Sequence, residues 1–170
     1  MEIIKILSGL LTPTIALIAV YIAWQQKNIA MQQKKIATDK LKFDLYEKRF
    51  KIYKTVNDYI LRVVRETAQG SQESGPLLDF QSWVNFNLET KDTPFLFDTD
   101  ITDYLAEIRN KTEELIKVCN MLKDVNSFPM YSQGRGIKLG EYKYLSKLLQ
   151  DDIYLVEKHF ESYLGFKHLK

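Results

Sequence analysis

The stretch Ile6–Gln26, ILSGLLTPTIALIAVYIAWQQ, carries no charged side chain, and its first 19 residues, to Trp24, are mostly aliphatic. An α-helix rises ~1.5 Å per residue, so such a run matches a hydrocarbon core of ~30 Å. Three readings compete for it: a permanent anchor, a cleaved signal peptide and a buried core helix. A signal peptide has a shorter apolar region and a small-x-small cleavage site. This run is long and ends Tyr21-Ile22-Ala23-Trp24. A lipoprotein needs a cysteine just after the run, and the only one, Cys119, is far downstream. A soluble core helix would show a polar stripe, and none interrupts Ile6–Trp24. The sequence therefore predicts an N-terminal transmembrane anchor over residues 1–26, with Tyr21 and Trp24 at the headgroup layer. Pro13 is a candidate kink, with Thr12 or Thr14 able to bond the freed carbonyl.

The flanks set the expected orientation. Lys5, offset by Glu2, precedes the run, while Lys27, Lys34, Lys35, Lys40 and Lys42 follow it. Basic flanks stay in the cytoplasm, which puts the N-terminus outside and residues 25–170 inside, in a single pass. A single cysteine cannot form an intrachain disulfide and agrees with a reducing compartment.

A formal charge of +2 hides a division. Residues 25–68 carry 11 Lys/Arg against 5 Asp/Glu, and residues 69–170 carry 12 against 16. Cations beside a membrane gain ~1 kcal/mol each from anionic lipid. Lys27, Lys34 and Lys35 are thus candidate headgroup contacts, although enforcing topology explains them as well. The acidic bulk and the lack of a basic groove motif argue against nucleic acid as a partner.

From Gln26 the chain repeats once: Gln26-Lys27-Asn28-Ile29-Ala30 recurs as Gln33-Lys34-Lys35-Ile36-Ala37. The seven-residue step continues through Phe43, Phe50, a polar Asn57 and Val64, the a positions of a heptad. The d positions are weak at Gln32 and Asp39 and stronger at Tyr46, Tyr53 and Ile60. Residues 27–40 read as a juxtamembrane helical stalk, either continuous with the neighbouring helices or broken near Ala37–Lys40. Beside this seam lies a second stripe, Leu45, Ile52, Val56, Tyr59 and Val63. Two stripes make a wide face, so residues 43–64 are expected to pack against several helices of one domain. Asn57 either sets register or sits at a wet edge.

Further along, Gly70–Pro76 reads as a loop, followed by a helix from Leu77 to about Thr90 that Thr93-Pro94 ends. Phe95-Leu96-Phe97 looks like a short apolar plug. Asp98 or Thr99 is then an N-cap candidate, with Asp100 and Asp103 in the first turn. The steps Ile101, Leu105, Ile108, Thr112, Leu115, Cys119 and Leu122 define an amphipathic helix to about Lys123. Asn126–Gly136 reads as a loop. A last helix starting near Lys138–Glu141 carries Tyr142, Leu145, Leu149, Ile153, Val156, Phe160 and Tyr163, and Gly165 suits its C-terminal cap. The fold class is all-α: an N-terminal transmembrane helix continuing into a helical stalk, then an antiparallel cytoplasmic bundle of about four helices over residues 41–170.

Chemistry is sparse. The run Asp98–Asp103 fails as an EF-hand because the sixth and twelfth places hold Asp103 and Arg109, where Gly and Glu are needed. Gly134-Arg135-Gly136 with Gly140 lacks the Gly-Lys-Ser/Thr ending of a phosphate-binding loop. His159 and His168 stand alone, His159 among two-step neighbours Glu157 and Glu161 that spread around a helix. Cys119 falls on an apolar stripe and reads as a small buried hydrophobe. No catalytic residue, metal ligand or cofactor is expected, although sites assembled in space escape this reading. Asp44, Lys48, Arg49 and Asn57 are candidates for interaction or interhelix polar contacts.

Leu41-Lys42-Phe43-Asp44-Leu45-Tyr46-Glu47-Lys48-Arg49-Phe50-Lys51-Ile52-Tyr53 resembles a recurring pattern in small bacterial single-pass membrane proteins. Their N-terminal span, Leu-Leu-Thr-Pro-x-Ile-Ala, is matched by Leu10–Ala16. Phe95-Leu96-Phe97-Asp98 with Ile101, Tyr104 and Leu105 is similar to their central motif, and Phe160-Glu161-Ser162-Tyr163-Leu164 to their C-terminal one. The resemblance implies architecture and no activity. It offers Arg49 and Asp44 as interhelix contacts, and Phe95, Phe97 and Tyr163 as core plugs.

The expected role is a non-catalytic, membrane-anchored interaction or scaffold module. Its partners would be membrane lipid and either another protein or further copies of itself. Two rivals stay open: a self-assembling membrane effector or channel component of a stress, toxin or phage-defence system, and an enzyme whose site is invisible in sequence. A pocket of converging titratable groups would favour the enzyme, and an exposed apolar patch the interaction module.

Overall fold

A computed structural model describes the backbone of residues 2–69, 79–124, 129 and 132–165, with the side chains of all of these except residues 2–12 and 69. The loop expected at Gly70–Pro76, part of the one at Asn126–Gly136, and His168 lie outside the described residues. The elements are α1 (Glu2–Gln69), α2 (Phe80–Glu89), α3 (Thr93–Leu96), α4 (Thr99–Lys123) and α5 (Gln133–Leu164). Among the described residues there is no strand, and the protein is all-α.

The chain divides into two compact units, Met1–Asp44 and Leu45–Lys170, with α1 shared between them. In the first unit α1 contains Pro13 and shows no interruption at Ala37–Lys40. None of residues 13–44 is buried. Among the described residues no helix is long and apolar enough to cross a membrane. The charge-free run begins within residues 1–12, whose side chains are not described.

In the second unit the contacts fix the helix directions. Thr55 meets Glu89 while Arg62 meets Ser82, so α1 and α2 run antiparallel. Tyr53 meets Phe160 while Tyr142 bonds the Thr67 carbonyl, so α1 and α5 are antiparallel too. Lys111 meets Asp152 and Arg135 meets Leu122, giving the same sense to α4 and α5. The core is shared by Ile52, Val56, Tyr59, Ile60 and Val63 of α1, Phe86 of α2, the α4 stripe and Leu145, Leu149, Val156, Phe160 and Leu164 of α5. The second stripe of α1 thus supplies most of the burial. Of the heptad positions in this unit, Ile60 is buried and Phe50 and Tyr46 are exposed.

Local chemistry sets most helix ends. The Asp79 carboxylate accepts from the Gln81 N–H at 3.0 Å and caps α2. Gly165 closes α5 at φ +63°, a left-handed conformation that suits glycine, and its N–H bonds the Glu161 carbonyl. Two expectations fail. Thr93-Pro94 does not simply end a helix: Pro94 opens the single turn α3, where the missing N–H costs nothing. As a result Phe97 is buried while Phe95, expected as a plug, faces solvent at 86% exposure.

The second failure is the start of α5, which begins at Gln133 and takes in Gly134-Arg135-Gly136. Two glycines in a helix cost ~1 kcal/mol each, which is why the segment reads as a loop. The offset is tertiary. The Ser132 hydroxyl accepts from the Arg135 N–H, and the buried Arg135 Nη1 donates to the Leu122 carbonyl at 2.8 Å. That carbonyl is one of the last four of α4, at the negative end of the helix dipole. Replacing Arg135 by Met keeps the stem and removes the donor. It is expected to lower stability by ~2 kcal/mol, read by denaturant unfolding followed by circular dichroism.

Candidate interaction surface

Arg49 binds α1 to the α3–α4 junction. Its Nε donates to the Leu96 carbonyl at 2.8 Å, and its guanidinium carbon lies 5.7 Å from the Phe97 ring centre and 5.2 Å from that of Tyr163. Two aromatic faces and a carbonyl hold this cation, and none of the ion pairs described for the chain involves it. Phe97 packs edge-on against both Phe160 and Tyr163. The Tyr163 hydroxyl lies 2.9 Å from Asp98 Oδ2 and 2.8 Å from Asp100 Oδ1, and its single proton can serve only one at a time. Burial and these two carboxylates push its pKa up to about 12, so it stays a donor at neutral pH. Asp98 holds the N-cap position of α4, but its side chain makes no cap hydrogen bond and turns to Tyr163.

A second polar group lies between α4 and α5. Lys111 Nζ sits 2.9 Å from the buried Asp152 and 2.8 Å from Glu107. Burial opposes the ammonium, but the bonds to Glu107 and Asp152 outweigh it and raise the Lys111 pKa. Burial likewise raises Asp152, more than Lys111 lowers it. Tyr104, on the same face, stacks on His159 at 4.0 Å, so His159 is half-buried against an aromatic ring, where a solvated face was expected. A third group centres on Phe86. It is stacked on Tyr59 at 4.1 Å and has the Arg109 guanidinium 5.9 Å away. Arg109 Nη2 donates to the buried Thr90 hydroxyl, and burial lowers its pKa.

The three groups join helices, and the third borders a cleft of about 210 Å³ lined by Asp58, Tyr59, Arg62, Ser82, Phe86 and Glu89. The cleft between α4 and α5, about 340 Å³, is lined by Val118, Met121, Tyr144 and Leu145 with Glu114, Lys117, Lys138 and Glu141 at its rim, and does not reach Lys111 or Asp152. Among the described residues no group of three or more His, Cys, Asp and Glu side chains is placed to hold a metal ion. Cys119 is buried, which pushes its thiol up to about 12.

Part of what faces outward is apolar. Phe80 and Leu88 are 60% exposed at two ends of α2, with Val84 half-buried one turn from each. Beside α3, Phe95 stands at the lip of a cleft of about 390 Å³. Its floor is Ile52 and Leu96, one wall is Lys48 and Lys51, and the other is Glu89 and Asp92.

The residues singled out from sequence scatter. Lys48 lines this cleft, Arg49 makes the interhelix tie, and Asn57 is half-buried on α1. Asp44, Lys27, Lys34 and Lys35 are exposed in the first unit. Arg109, Lys111, Arg135 and Asp152 escaped the sequence reading, because nothing in spacing distinguishes a buried charge from a solvated one.

The pair Lys111–Asp152 makes a pH-dependent prediction. Lys111→Met leaves a buried carboxylate unpaired and is expected to cost ~3 kcal/mol at neutral pH. A buried carboxylate with a raised pKa destabilises the fold only when ionised, so the loss should shrink as pH falls toward that pKa. Asp152→Asn leaves Lys111 its bond to Glu107 and should cost less, with little change over the same range. Thermal unfolding of the two variants at neutral and mildly acidic pH checks both the order and the slope.

No family model, no curated protein and no solved structure matches this chain.

Proposed function

We propose that the protein is a non-catalytic interaction module held at the cytoplasmic face of a bacterial plasma membrane. In this reading residues 6–24 are a single transmembrane helix with the N-terminus outside, and residues 45–170 form the displayed domain. The charge-free run and the lysines after it support the anchor and its direction. The resemblance to small bacterial single-pass proteins supports the same architecture. Lys27, Lys34 and Lys35 then lie where anionic headgroups attract them.

The observation that carries the interaction role is Phe95. A phenylalanine at 86% exposure beside an apolar floor walled by opposite charges is costly in water and useful at an interface. The partner that fits is a protein segment with an apolar anchor for Ile52 and Leu96 and charged groups for the two walls. Arg49 and the Lys111–Asp152 pair are engaged between helices, which is why a binding role is preferred to a catalytic one.

Two measurements test this. Full-length protein expressed in bacteria should float with membranes and resist alkaline extraction, and a cysteine placed at residue 2 should be labelled from outside. Protein recovered in the soluble fraction would sink the anchor. Photo-crosslinking from position 95 in cells should trap a defined adduct that Ile52→Asp abolishes while Tm is followed separately. Absence of any adduct with a folded protein would sink the interaction role.

A further inference from the structure

The dipeptide Ile-Ala occurs at residues 15–16, 22–23, 29–30 and 36–37, a spacing of seven, with one further copy out of phase at 18–19, and Phe43 holds the next place. The isoleucines Ile15, Ile22, Ile29 and Ile36 and Phe43 are between 47% and 68% exposed. The repeat crosses from the apolar run into the lysine-containing stalk without losing phase. Lipid accounts for Ile15 and Ile22 but requires no heptad, and water accounts for neither Ile29 nor Ile36.

A strict seven-residue period does not mark one face of a straight helix. Such positions drift by about 20° per heptad, hence about 80° from Ile15 to Phe43. They form one seam only when two helices supercoil left-handed around each other. The a seam is apolar over four heptads, while d is apolar at Ile18 and polar at Gln25, Gln32 and Asp39, so the pairing is held mainly by a.

The flanks identify the occupant. With the isoleucines at a, the e and g positions over residues 21–33 are Tyr21, Gln26, Asn28 and Gln33. All are uncharged and both donate and accept hydrogen bonds, so each can pair with its counterpart on an identical chain. Gln25 and Gln32 at d are self-complementary in the same way. Lys27 and Lys34 fall at f, on the side away from the seam. Within residues 15–43 the like-charged g–e pair is Lys35 with Lys40, and Asp39 at d lies beside Lys40 of the second copy. A cationic stalk built to hold an acidic partner would instead carry its lysines at e and g. In the apolar part, Ile18 holds d and the small Ala19 holds e beside the seam. β-Branched residues at a favour two strands.

We infer that residues 15–43 of α1 form a parallel two-stranded coiled coil with the same segment of a second copy of this chain. The parallel sense rests on the membrane-anchored reading, which places both N-termini on one side.

The test uses full-length protein in liposomes with single cysteines at Ile29 or Ile36 (a) and at Lys27 or Lys34 (f). Cys119 stays in place, since burial keeps it a protonated, inaccessible thiol. Under mild oxidation Ile29→Cys and Ile36→Cys should yield about tenfold more disulfide-linked dimer than Lys27→Cys and Lys34→Cys. Light scattering of the unmodified protein in detergent should give the mass of two chains. Equal yields at a and f, cross-linking preferred at f, or a mass other than two chains would overturn the proposal. Flotation of the same samples separates the two readings. Protein that floats but does not cross-link at a sinks the coil alone. Protein that cross-links at a but does not float sinks the anchor alone.

Discussion

The bundle depends on one face of α4. Ile101, Leu105, Ile108, Thr112, Leu115, Cys119 and Leu122 each keep 1% or less of their surface in water. A helix buried so fully along its length must be covered from several directions, and α1, α2 and α5 supply that cover. The two polar members of the stripe cost little. The Thr112 hydroxyl returns to the Ile108 carbonyl at 2.8 Å, and Cys119 behaves as a small hydrophobe. Hydrophobic burial is non-directional, so this face alone would tolerate several packings.

Direction comes from charges placed at the junctions. Arg49 pins α1 to the α3–α4 corner, Lys111 and Asp152 set α4 against α5, and Arg135 brings the start of α5 to the end of α4. Each of these donors meets an acceptor on another segment, so a shifted or reversed packing would leave a buried polar group unsatisfied. Such groups are expensive to orphan and contribute little net stability when paired. They therefore act mainly by excluding alternatives. The same engagement leaves them poorly suited to catalysis, since a general acid or base must reach a substrate.

Much of this was legible in the sequence, for a physical reason. All seven positions of the α4 stripe are buried, because a helix with a 3.6-residue period and no conflicting signal has one way to bury itself. In the second stripe of α1, Ile52, Val56, Tyr59 and Val63 followed the same logic while Leu45 is exposed, and Gly165 was legible as a left-handed cap. The start of α5 was hidden because glycines at 134 and 136 weaken the local signal, while the compensating bond joins Arg135 to a residue 13 positions away. Phe95 was misplaced because a three-residue apolar run does not say which ring faces inward. That is set by the turn Pro94 imposes. The polar ties were invisible since each partner lies on a separate helix.

α1 carries two apolar periodicities, and they answer to different partners. From Ile52 onward its buried apolar residues are Ile52, Val56, Tyr59, Ile60 and Val63, three or four apart save for one adjacent pair, the spacing of a helix laid into its own domain. From Ile15 to Phe43 the step is seven, and none of those side chains is buried. A sequence under selection only for membrane insertion would have no reason to hold a seven-residue phase past Trp24. One under selection only for solubility would not place Ile29, Ile36 and Phe43 in water. A coil between two copies meets both conditions at once, and it would make a two-chain assembly of a module whose displayed cleft beside Phe95 is single. A pair of weak sites held on one dimer binds a bivalent partner far more tightly than either site alone, with no new contact. Under that proposal residues 15–43 would serve binding by pairing two clefts.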